Sequence, residues 1–92
     1  MRADGPGEKP LLTFPTPFPI KVMGRREDGY AQAVLEVVLR HAPDFNPATM
    51  EMRPSKAGTY LSVTVTINAR SREQLDDLYQ ELSGHPMVMM VL

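Results

Sequence analysis

The 92-residue sequence predicts one small α+β domain with the element order β-α-β-β-α-β, and three observations carry that prediction. The first is a strand with strict alternation. Leu61, Val63, Val65, Ile67 and Ala69 fall on one face, and Tyr60, Ser62, Thr64, Thr66 and Asn68 on the other. Period-two alternation in β-branched residues marks a strand with one buried and one wetter face. The second is a helix start directly behind it, Ser71 followed three residues later by Gln74. The third is punctuation: proline or glycine falls at the borders of nearly every periodic segment.

Taken in order, residues Met1 to Pro10 have almost nothing to bury and read as a disordered tail, so the domain is expected over 11–92. Pro15, Pro17 and Pro19 alternate with Phe14 and Phe18, which forbids a helix and favours an extended approach. This lead-in could serve a proline-reading partner, but a stiff segment whose aromatics pack over the domain edge is the preferred reading. The first strand is expected over about Pro19–Gly24, because proline cannot donate to a ladder and belongs near a strand start. A glycine-bounded loop, Gly24 to Gly29, leads into a first helix from Tyr30 to about His41, with Asp28 expected to cap it. Tyr30, Ala33, Val34, Val37, Val38 and His41 form its apolar stripe, and Pro43 ends it. After a turn at Asp44–Pro47, a second strand is expected over about Ala48–Arg53, then a hairpin loop, Pro54–Gly58, into the alternating strand. The second helix carries Leu75, Leu78, Tyr79 and Leu82 and stops at Gly84; the fourth strand is Met87–Leu92.

Two β-α-β halves with right-handed crossovers give a ferredoxin-like sheet: four antiparallel strands in the order 4-1-3-2, with both helices on one face. The expected buried positions of the sheet are Ile20, Val22, Met50, Met52, Leu61, Val63, Val65, Ile67, Val88, Met90 and Leu92. Met23, Met89 and Val91 are then left on the open face with Tyr60.

Composition narrows the chemistry. The absence of cysteine removes disulfides, thiolate catalysis and cysteine ligation. His41 and His85 lie in different segments, so no metal set and no cofactor is expected. Ser55, Ser62, Ser71 and Ser83 have turn, sheet-face and capping roles, and Glu73, Asp76, Asp77 and Glu81 read as a solvated helix face. Enzymatic activity is therefore not expected. A net charge of −1 gives no field for nucleic acid or anionic membrane, and Tyr60 alone on the sheet face is a poor platform for stacking bases. With no apolar run long enough to span a bilayer and no signal-peptide core, cytoplasmic residence is the expectation.

Two features remain. Gly24, Arg25, Arg26, Asp28 and Gly29 form a strand-to-helix loop in which glycines allow close backbone approach and the arginines add positive charge, as a small anionic effector would need. The exposed apolar group Met23, Tyr60, Met89 and Val91 suits a protein partner or a homodimer.

A family resemblance adds to this. Phe14-Pro15-Thr16-Pro17-Phe18-Pro19-Ile20-Lys21-Val22-Met23-Gly24, Arg40-His41-Ala42-Pro43, Ser55-Lys56-Ala57-Gly58-Thr59-Tyr60, Val65-Thr66-Ile67-Asn68-Ala69, Leu78-Tyr79-Gln80-Glu81-Leu82 and Val88-Met89-Met90-Val91-Leu92 together resemble the YbeD family of small, uncharacterised bacterial proteins. The resemblance implies a ferredoxin-like fold akin to ACT regulatory domains, which bind amino acids and pair through sheet edges or helices. Gly29 matches the glycine that starts the helix beside the effector in such domains; Asp28 stands where a proline is usual. Met89 departs from a basic residue found in the family. Proximity of family genes to lipoate attachment implies a link to that metabolism. The expectation is a non-enzymatic regulatory domain that senses a small, amino-acid-like ligand, with a protein-interaction module as the alternative and RNA binding behind both.

Overall fold

The computed structural model describes residues 13–92; the tail expected over 1–10 lies outside them. Strand β1 (Thr16–Arg25) is followed by helix α1 (Tyr30–His41), a short 3-10 turn (Pro47–Thr49), β2 (Glu51–Pro54), β3 (Tyr60–Ala69), α2 (Arg72–Ser83) and β4 (Val88–Val91). The four strands form one antiparallel sheet in the order β2-β3-β1-β4. This is the ferredoxin-like topology expected from the pattern.

Strands β1 and β3 pair along ten residues, from Thr16 opposite Ala69 to Arg25 opposite Tyr60. The register puts Ile20 and Val22 beside Val65 and Val63, and the helices close over that face. Tyr30, Val34, Val37 and Val38 of α1 and Leu75, Leu78 and Leu82 of α2 complete the core with Ile67, Ala69, Ala42 and Phe45. Phe14 and Phe18 pack against its edge, as the stiff lead-in reading requires.

β1 begins three residues earlier than expected, with Pro17 and Pro19 inside it. Lys21 exchanges both backbone hydrogen bonds with Leu92, at 3.2 and 2.7 Å. In an antiparallel ladder alternate residues point their N–H and C=O the same way, so Pro17 and Pro19 also face the β4 side. They lie past the last β4 partner, where no described strand calls for the missing N–H.

The expected second strand loses its first residues to the 3-10 turn. Asn46 Oδ1 accepts from the Ala48 N–H at 3.0 Å, and Pro47 occupies the first helical position, where its missing N–H costs nothing. β2 consequently starts at Glu51. Met52 lies opposite Val63 and so has the buried-face parity, yet it is 55% exposed. The helices pack over β1, β3 and β4 and leave this edge strand overhanging.

The β4 assignment needs the largest correction. Met23 pairs with Met90, and Gly24 with Val88, so Met89 is an extra residue at a bulge. One inserted residue reverses the faces on its far side. Val91 therefore lies opposite Val22 and packs against the core. Met90 and Leu92 stand opposite Met23 and Lys21 on the open face, 51% and 60% exposed.

Candidate functional site

The loop between β1 and α1 is the first candidate. Arg25, Arg26, Asp28 and Gly29 are exposed there. Asp28 does not cap α1. The residue before Tyr30 is Gly29, held in the left-handed region at φ 85°, and no side chain caps the helix. A side-chain cap needs extended backbone at the position just before the helix, and Asp28 is one residue too early. Tyr30 N–H bonds to the Glu27 carbonyl and Ala33 N–H to that of Gly29.

Gly24 belongs to the core rather than to this loop. A Cβ at this position would stand 2.4 Å from the Met87 carbonyl oxygen and 2.5 Å from a ring carbon of Tyr30. The glycine is the slot that receives the Tyr30 ring. The Tyr30 hydroxyl donates to the Val22 carbonyl at 2.9 Å, and burial pushes its pKa up to about 12. Tyr30 thus ties the start of α1 to β1, leaving Arg25, Arg26, Asp28 and Gly29 as the accessible part of the predicted loop site. Arg26 continues the β1–β3 ladder through its N–H to the Thr59 carbonyl, and its guanidinium lies over Gly58 of the hairpin loop.

The open sheet face is the second candidate, and the register dictates its layout. Across the four strands one row reads Arg53, Ser62, Met23 and Met90; the next reads Glu51, Thr64, Lys21 and Leu92. Arg25 and Tyr60 form the end of a third. Short hydroxyl side chains on β3 lie between long ones on β2 and β1, which makes an open groove of about 580 Å³ lined by Lys21, Glu51, Met52, Arg53, Ser62 and Thr64. A smaller hollow of about 150 Å³, beside Tyr60 and Met23, adjoins it. Of the four residues expected at an interaction surface, Met23 and Tyr60 lie on this face and Met89 is exposed at the bulge. Val91 is on the opposite face, and Met90 and Leu92 take its place.

The third cluster joins the two helices. Glu81 of α2 receives hydrogen bonds from Arg40 and from His41, whose Nε2 lies 2.7 Å from its carboxylate. These two contacts, Arg40 first, hold the Glu81 carboxyl below its ordinary pKa. His41 therefore reaches across to α2. Ser71 caps α2 by accepting from the Gln74 N–H at 3.0 Å; the Gln74 side chain accepts from Arg70 N–H and donates to the His41 carbonyl. The cluster pins helix ends together and forms no cleft. His85 is elsewhere, its Nδ1 accepting from the Met87 N–H at 3.1 Å. Among the described residues no three His, Asp or Glu side chains are grouped to hold a metal, and no helix is long and apolar enough to cross a membrane.

Comparison with known proteins follows the same lines. The family model described as "Protein of unknown function (DUF493)" matches residues 9–92. A UPF0250 protein of Leptothrix cholodnii is 55% identical over 89 residues, covering 97% of this chain and 98% of its own length. A UPF0250 protein of Bordetella pertussis is 56% identical over 87 residues, covering 95% and 96%. Among solved structures, protein HP0495 from H. pylori superposes with a TM-score of 0.72 at 20% identity, over 100% of this chain and 94% of that one. The ACT domain from GTP pyrophosphokinase of Chlorobium tepidum gives 0.64 at 19% identity, over 84% and 97%. At these identities the structural likeness shows the fold alone.

Proposed function

This chain belongs to the DUF493 family, in agreement with its YbeD-type sequence pattern, and from that premise we propose that it is a regulatory domain that acts by binding a protein partner on its open sheet face. The observation that carries this reading is the face itself. Both helices pack on one side of the sheet, and the other side presents Met23, Met90, Leu92 and Tyr60 beside a groove with polar walls. Adaptable methionines next to hydrogen-bonding and charged groups are the composition of a recognition surface.

The test is affinity capture from a lysate of a bacterium that carries the chain, with wild-type and Met90→Asp baits. A partner retained by the wild type and lost by a folded M90D bait supports the proposal. Equal retention by both baits contradicts it.

A second reading is favoured by one observation. The N-terminus of α1 has no side-chain cap, and Arg25 and Arg26 are exposed in the loop that leads to it. Free N–H groups in a loop that also carries two arginines suit a small anionic effector such as an amino acid. A thermal-shift screen of amino acids and lipoate-related acids checks it. Stabilisation that Arg26→Ala abolishes supports this site, and no stabilisation at millimolar ligand rejects it.

A further inference from the structure

We infer that the open sheet face is built for an acidic protein segment carrying an apolar anchor; this rests on the partner-binding reading above and names the partner's chemistry. The charge layout supplies the argument. The chain as a whole has a net charge of −1, yet its open sheet face sets three cations, Lys21, Arg25 and Arg53, against one carboxylate, Glu51. None of the ion pairs between described residues involves these cations; those pairs join Arg40 and His41 to Glu81, and Arg70 to Asp44. The balancing negative charge lies on the other layer, where Glu73, Asp76 and Asp77 of α2 are exposed. The molecule is therefore polarised from sheet to helix, and its basic side is the side with the groove.

The register explains why Lys21 does not pair with the one carboxylate of this face. Lys21 and Glu51 occupy one row of the sheet but on β1 and β2, with Thr64 of β3 between them. Two strand spacings separate their backbones by roughly 9–10 Å. Arg53 and Met23 are likewise divided by Ser62. Each wall of the groove thus offers a cation over a floor of hydroxyls, so a segment lying along β3 can place carboxylates against Lys21 on one side and Arg53 on the other. Charge-assisted bonds of that kind are about twice as strong as neutral ones. Met23, Pro54 and Tyr60 line the adjoining open hollow of about 150 Å³, and their apolar surfaces take the anchor. Glu51 repels a carboxylate at its own corner and so selects where along the segment the acids fall.

Nucleic acid fits this face less well. Tyr60 is its one aromatic side chain among the described residues, and Glu51 sits in the groove a phosphate backbone would follow. The acidic α2 of a second copy offers the right charge, but it lies on the opposite layer and so makes a head-to-tail contact rather than a two-fold dimer.

The experiment replaces Tyr60 by the photo-crosslinking residue p-benzoylphenylalanine in the full-length chain, irradiates it in lysate, and sequences the attached peptides by mass spectrometry. The expected adducts are protein segments with net negative charge and an aliphatic or aromatic residue. Capture should fall about tenfold or more in the K21E/R53E background and weaken with added salt, while D76K/D77K leaves it unchanged. Circular dichroism checks folding, and K21Q/R53Q serves if the double reversal does not fold. Adducts with basic or neutral segments or with α2 of this chain overturn the acidic-segment assignment alone, whereas nuclease-sensitive RNA adducts overturn the protein-partner reading as well. No adduct at position 60, with one from the same residue placed at position 77, overturns the partner-binding reading as well.

Discussion

Tyr30 and Gly24 show how one residue pair converts a candidate ligand loop into a structural joint. The phenol is fully buried, its ring lies where any side chain at position 24 would go, and its hydroxyl reaches back to the Val22 carbonyl. Gly24→Ala should therefore destabilise the fold by about 1–3 kcal/mol, because neither a backbone carbonyl nor a packed ring can yield cheaply. Chemical denaturation checks this; an unchanged midpoint would show that the slot relaxes. Tyr30 also predicts an alkaline limit. Burial lifts its folded pKa to about 12, above the ordinary tyrosine value of 10.0. The folded state thus favours the neutral phenol, so this stabilisation is complete below the lower value and is lost as pH rises through the higher one. Comparing urea midpoints between those two pH values, the wild type should lose more stability than Tyr30→Phe, whose profile lacks this component.

At the scale of elements, most of the architecture was legible in the sequence because it rests on local patterns. The alternation in β3, the Ser71 cap of α2 and the Tyr30, Val34, Val37 and Val38 positions of the α1 stripe appear as expected, whereas Ala33 stays outside the core and His41 turns to Glu81. Removing the cap in Ser71→Ala should cost about 1 kcal/mol, read as a lower thermal midpoint. What stayed hidden depends on long-range register. Nothing in Val88-Met89-Met90-Val91 marks Met89 as the extra residue; the bulge exists only relative to β1, where Gly24 meets Val88 and Met23 meets Met90. The same holds for Pro17 and Pro19, tolerated inside β1 because no described strand faces them on that side, and for Glu81 and the Gln74 amide nitrogen, whose partners lie on α1. The 3-10 turn is a different case: Asn46-Pro47 was a readable cap-and-proline start that the alternation of Met50 and Met52 outweighed. The register has a sharp consequence. Val91→Asp forces a carboxylate toward the core and should destabilise by about 2 kcal/mol or more, whereas Met90→Asp, one residue earlier, should leave the thermal midpoint nearly unchanged. The reverse order would move the bulge.

Over the whole molecule, the two-layer fold buries its apolar surface on one side of the sheet and leaves the other face open. The sequence announced that division through the period of β3, and Met23 and Tyr60 could be placed from it. The groove could not, because its walls come from β1 and β2 and meet only across β3. Nor could the charge polarity: a net charge of −1 conceals a basic sheet face opposite an acidic helix. The methionines supply a probe native to the surface they report on. Oxidative footprinting of the chain, alone and bound to the partner it captures from lysate, tests the open-face assignment most directly. The account predicts that Met23 and Met90 oxidise more slowly in the complex. Unchanged rates at both, in a complex that demonstrably forms, would contradict it.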